Sequence, residues 1–117
     1  MTENIKKGME AEDLAADFLQ QKGFTMVERN LRHGPHEIDL IIQKGNWLVF
    51  AEVKMRTSVA YGPPEISVTW KKRKNLRQAA RWYIFHRNWQ GNVRFDVVAI
   101  TVIDGRTEIL HIEDAFG

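Results

Sequence analysis

Asp39 and the triplet Glu52-Val53-Lys54, with twelve residues between the two acids, are residue types that can hydrolyse a phosphodiester. Such a substrate is anionic and repels hydroxide. Cleavage at neutral pH therefore needs phosphate charge neutralised, a deprotonated water in line and a stabilised leaving oxygen. Mg²⁺ or Mn²⁺ supplies much of this, and Mg²⁺ prefers carboxylate and water oxygens in a near-octahedral shell. Asp39 and Glu52 are the expected ligands, with the Val53 carbonyl as a third. Lys54 is expected beside the attacking water, where its charge favours hydroxide and steadies the negative transition state.

Strands must bring these groups together. Side chains alternate faces along a strand, so Glu52 and Lys54 point one way and Ala51, Val53 and Met55 the other; Glu37 and Asp39 share a face for the same reason. Gln43-Lys44-Gly45-Asn46 suits a hairpin turn that lays Ile38–Ile42 antiparallel to Trp47–Val53 and sets Asp39 beside Glu52. A Glu-x-Lys on a strand is by itself a degenerate pattern, most often a solvated face. Here it follows the apolar run Val49-Phe50-Ala51, as in a strand covered on both faces, where burying charge is costly unless partners or a metal compensate. Upstream, Lys6 to Lys22 reads as an amphipathic helix with Ala11, Leu14, Ala15, Phe18 and Leu19 at helical spacing and Gly23 as its stop. Glu12 falls on the side of Met9, Ala16 and Leu19, at the edge of the apolar stripe. Periodicity leaves open whether it is a boundary residue paired with a lysine or a site carboxylate.

Taken together, Gly8-x3-Glu12-x2-Ala15-x3-Leu19-x3-Gly23, Arg29-Asn30-x-Arg32, Glu37-Ile38-Asp39-Leu40-Ile41, Val49-Phe50-x-Glu52-Val53-Lys54-x-Arg56 and Arg94-Phe95-Asp96-Val97 resemble the bacterial YraN family. That family is assigned to the PD-(D/E)xK nuclease superfamily, near archaeal Holliday junction resolvases. The resemblance runs from about Gly8 to Val98. It implies that Asp39, Glu52 and Lys54 occupy catalytic positions, and that Glu12 matches the helix-borne glutamate some resolvases add to the metal site. There are two departures: His36 stands where the family usually has glycine before Glu-Ile-Asp, and Ala11 precedes Glu12 where glycine is usual. Neither removes a catalytic group, although His36 narrows the backbone conformations available just before Asp39.

At 117 residues with no cysteine, the chain is expected to form a single domain, 1–117, without disulfides, thiolate zinc sites or a cysteine nucleophile. Its start is polar, and no apolar run approaches the ~20 residues that cross a bilayer, so no membrane partner is expected and a cytoplasmic location is the default. Net charge is only +2. The distribution says more: Lys71-Lys72-Arg73-Lys74, Arg77, Arg81 and Arg87 concentrate in one helix. Lys74, Arg77 and Arg81 lie on one stripe opposite Leu76, Ala80, Tyr83 and Ile84. Lys71, Lys74, Arg77 and Arg81 are expected to meet a phosphate backbone, along with Arg32 and Arg56, the latter nearest the cut. For each helix residue a solvated face is an equal alternative.

Phe24–Glu28 and Val93–Ile103 read as strands, and Asp104-Gly105 as a turn into Glu108–Ile112. The order α-β-β-β-α-β-β implies an α/β fold with a mixed sheet flanked by helices, which is also the restriction-endonuclease-like core of the resembled superfamily. Arg32–His36 and Thr57–Glu65 are the two longer loops; the second holds Tyr61-Gly62-Pro63-Pro64 and could cover substrate. His33 and His36 belong to surface hydrogen bonding more readily than to a metal. The four tryptophans are chiefly core area, and Asp96 is expected to pair with an arginine.

The function read from these residues is a Mg²⁺- or Mn²⁺-dependent DNA endonuclease, suited to branched or junction DNA. An alternative is a nucleic-acid binding protein that keeps the nuclease fold without turnover, acting with a partner in repair or recombination. A third is a structural protein whose acid pair is bridged by Lys54. A homodimer would present two cutting sites to a four-way junction; a monomer would suit flaps, nicks or single strands.

Overall fold

The computed structural model describes residues 3–56 and 68–117, with side chains from residue 10 onward. The expected loop Thr57–Glu65 and the Met9 side chain lie outside the described residues. The elements are α1 (Glu3–Gln21), β1 (Thr25–His33), β2 (His36–Lys44), β3 (Trp47–Arg56), α2 (Trp70–His86), β4 (Asn92–Ile103) and β5 (Arg106–Phe116). Their order is α-β-β-β-α-β-β, and the five strands form one mixed sheet in the order β1-β2-β3-β4-β5. Only β3 and β4 run parallel, with α2 in the crossover between them. This is the expected α/β, restriction-endonuclease-like architecture.

Each helix covers one sheet face. Ala11, Ala15 and Leu19 of α1 pack on Leu40, Ile42, Val49, Ala51, Val98 and Ile100. Leu76, Ala79, Ala80 and Tyr83 of α2 pack on Ile38, Ile41, Leu48, Phe50 and Val97. With apolar residues required on both faces, β3 reads as a nearly unbroken apolar run until Glu52.

Helix α1 ends as the glycine implied. Gly23 takes φ 98°, its N–H donates to the Gln20 carbonyl and the Phe24 N–H to the Leu19 carbonyl, a Schellman closure. Gly45, at φ 58°, turns the β2–β3 hairpin with Lys44 opposite Trp47.

The structure corrects one connection. Arg32–His36 is not a long loop: β1 continues to His33, which pairs with His36 across a two-residue turn at Gly34-Pro35. Between Glu28 and Arg32 only Leu31 packs on the core, because β1 is an edge strand whose polar residues serve pairing.

Candidate active site

The sheet splits where the chemistry-bearing residues lie. Pairing of β2 with β3 runs from Lys44↔Trp47 to Leu40↔Ala51 and goes no further. The next residues along the two strands are Asp39 and Glu52. Strand alternation also breaks here: Leu40 and Ile42 belong to the α1-side core, whereas Ile38 joins the α2-side core. On the neighbouring strand Asn30, between the pairs Arg29↔Leu40 and Leu31↔Ile38, takes φ 53°. A left-handed residue turns β1 over, and β2 follows it. Asp39 sits at the crossing point and replaces the missing ladder: its Oδ2 accepts the Val53 N–H at 2.9 Å.

Glu52 follows Phe50 on the α2 side of β3, and Lys72 in the first turn of α2 sets its Nζ 3.6 Å from Glu52 Oε1. The Glu52 side chain is only 12% exposed. Among the described residues its buried Oε2 has no hydrogen-bond donor. Burial, with the Asp39 charge adding to it, pushes the Glu52 carboxyl from its ordinary 4.5 to about 7, against the pull of Lys72 and, less strongly, Lys54. Burial likewise raises Asp39, opposed by the Val53 N–H and the charge of Lys72. The two carboxyls lie within hydrogen-bonding reach of each other.

Glu12 comes from α1. Its Oε1, 3.9 Å from Arg29 Nη2, is buried without a donor among the described residues. Burial raises its carboxyl too; a hydrogen bond from Asn30 and the Arg29 charge oppose this, while the charges of Asp39 and Glu37 add to it. Glu12 thus stands in the electrostatic neighbourhood of Asp39, yet among the described residues no three His, Asp or Glu side chains converge as a metal cluster.

The donor set fits a hard divalent cation of modest ligand demand. Mg²⁺ commonly takes one or two protein carboxylates and keeps several waters. Two adjacent carboxylates, one with an undonated buried oxygen, match that need better than they match a dry core, where they only repel. Val53, expected to offer its carbonyl, contributes its N–H to Asp39.

The expected phosphate contacts are spread unevenly. Lys71, Lys74 and Arg81 are exposed, and Lys74 lies over the Trp70 ring. Arg77 is half-buried and donates to the Gly117 carbonyl. Arg32 is exposed and pairs with Glu37 at 3.1 Å. Arg56 is half-buried at the end of β3. Ile84 is only partly buried, and Ala79 takes a core position beside Ala80. His33 stacks on Trp82, which stacks on His86.

Lys72 is the site residue that sequence reasoning passed over, as one of four consecutive cations. The available signal was helical phase, since Lys72 falls four residues before buried Leu76 and therefore on the core stripe.

Residues 11–100 match the family described as Uncharacterised protein family UPF0102. The chain is similar to a UPF0102 protein of Cytophaga hutchinsonii, 50% identical over 85% of this chain and 88% of the relative. A UPF0102 protein of Rhodococcus opacus is 42% identical over 99% of this chain and all of the relative (100%). One of Thermodesulfovibrio yellowstonii is 44% identical over 96% of each.

Proposed function

Since the chain belongs to the UPF0102 family, the YraN family of the resemblance drawn above, and that family's description assigns no activity, we propose a function from the site: a Mg²⁺- or Mn²⁺-dependent endonuclease that hydrolyses DNA phosphodiesters, with branched DNA as its preferred substrate. One observation carries this reading. Two carboxylates are held together where β2 leaves β3, with an undonated oxygen on Glu52 and two lysines within electrostatic reach.

A bound divalent cation supplies Lewis-acid stabilisation of the phosphate and a lowered pKa for its water. Asp39 and Glu52 hold it, and the Val53 N–H fixes the Asp39 carboxylate. Lys54, on the same strand face as Glu52, brings positive charge to the phosphate and to a hydroxide approaching it. Glu12 stands to orient a water from the α1 side.

The test is cleavage of labelled four-way junction, flap, duplex and single-stranded DNA in Mg²⁺ and Mn²⁺, with Glu52→Ala and Asp39→Asn beside the wild type. Metal-dependent cutting is expected in the wild type, with a loss of at least about a hundredfold in each variant and retained DNA binding by Asp39→Asn. Equal cutting by the variants would sink the assignment, and binding without cutting would favour a nuclease fold that acts only as a binding module.

A further inference from the structure

We infer that Lys72 is a resident counterion of the acid pair, holding the neighbourhood of the cation position and competing with divalent metal for Glu52. The inference rests on the metal-dependent reading above and adds to it a residue that sets metal affinity.

Three observations carry it. Lys72 Nζ lies 3.6 Å from Glu52 Oε1, on the side where β2 has left β3. Lys72 is the leading cationic influence on both Asp39 and Glu52, ahead of Lys54 at Glu52. Its position is built rather than incidental: the Thr69 side chain caps α2 by accepting the Lys72 N–H at 3.1 Å, and buried Leu76 anchors the next turn. The stem is thereby aimed along the core stripe toward the sheet, while Lys71 and Lys74 are exposed.

The groups that face this ammonium are Glu52 and Asp39 from the strands, with Lys54 on the Glu52 face and Glu37 acting on Asp39. An ammonium on Oε1 and a divalent cation on Oε2 repel each other across one carboxylate, so the lysine head opposes metal entry and is pushed outward by it. Its side chain is 43% exposed, which leaves the head a path to solvent. Gross attraction at this separation is several-fold larger than the net effect, since exposure screens it. A residual change of about tenfold in metal affinity is the expected scale.

The experiment is calorimetric titration of Mn²⁺ into metal-stripped protein, without nucleic acid, for the wild type, Lys72→Met, Lys72→Gln, Lys72→Arg and Glu52→Gln, each checked for folding by circular dichroism. Lys72→Met and Lys72→Gln are expected to bind Mn²⁺ about tenfold more tightly. Lys72→Arg should stay near the wild type and Glu52→Gln should lose binding. Two uncharged substitutions keep the test open if one misfolds. Unchanged or weaker affinity in both, with wild-type binding intact, overturns the role of Lys72 and leaves the cation site standing. Absence of Mn²⁺ binding in every protein, the wild type included, overturns the cation site and the competition together.

Discussion

Glu52 carries a cost that the proposed cation would offset. Its carboxyl is raised from 4.5 to about 7, mainly by burial and then by Asp39. Because the folded pKa lies above the unfolded one, the stabilising effect of the protonated group is complete below pH about 4.5. It is lost as pH rises through about 7. The interval corresponds to roughly 3 kcal/mol. Glu52→Gln should therefore melt with the wild type near pH 4, and several degrees higher at pH 8 in chelator, with Mn²⁺ narrowing the gap by stabilising only the wild type. Coincident melting curves at pH 8 would remove the claim that this carboxylate is strained. The closeness of Asp39 and Glu52 was legible because a hairpin is a local rule, whereas the end of pairing and the break in alternation at Asp39 were not, since they go with Asn30 on the neighbouring strand. Lys72 was also hard to read, since only docking of α2 decides which of four adjacent cations meets the acids.

At the scale of elements, a charged clasp ties β4 to β5 on the side of β4 away from β3. Asp96, fully buried, accepts from Arg94 Nε at 2.9 Å and from the Asp114 N–H at 3.0 Å. Its Oδ2 lies 2.7 Å from His111 Nε2. Lys22 Nζ, 2.6 Å from His111 Nδ1, donates there, so the Nε2 proton points at Asp96. Burial alone would raise the Asp96 carboxyl, but the bonds from His111, Arg94 and Asp114 overcome it and hold the group below its ordinary 3.8. Its stabilisation is therefore present above that value and lost as pH falls through the lower folded one. Asp96→Asn should cost about 3–5 kcal/mol at pH 7, by breaking a buried pair while leaving Arg94 in place. Urea denaturation measures this, and wild type and variant should converge in acid; a loss under about 1 kcal/mol would mean that the clasp is not holding β5. The pairing of Asp96 with an arginine was readable from an acid in an apolar strand. The partners His111 and Asp114 were not, because they come from β5 through a register shift between Phe95 and Val97. The same limit hid the edge-strand course of β1, where Asn30 at φ 53° reverses the faces.

For the molecule as a whole, a net charge of +2 is too small to draw in DNA by itself, so the proposed binding rests on where the cations lie. Helix α2 starts at the acid pair, with Lys72 on Glu52, and carries Lys74 and Arg81 outward. At 1.5 Å per residue these two stand about 10 Å apart along the axis, a span of a few phosphates on one strand. Arg77, between them, is partly committed to the Gly117 carbonyl, so under the proposed function Lys74 and Arg81 are the stronger candidates for phosphate contact. In an Asp39→Asn background, which is expected to bind without cutting, duplex affinity should fall on Lys74→Ala plus Arg81→Ala. The slope of log affinity against log salt should shrink by about 2, since each neutralised phosphate contributes about 0.9. Fluorescence anisotropy at several salt concentrations gives that slope directly. A weaker but equally salt-sensitive complex would place the lost contacts off the phosphates. An unchanged slope and affinity would make the stripe a solvated face, and the route of DNA to Glu52 would then have to run along the β3 end, by Arg56.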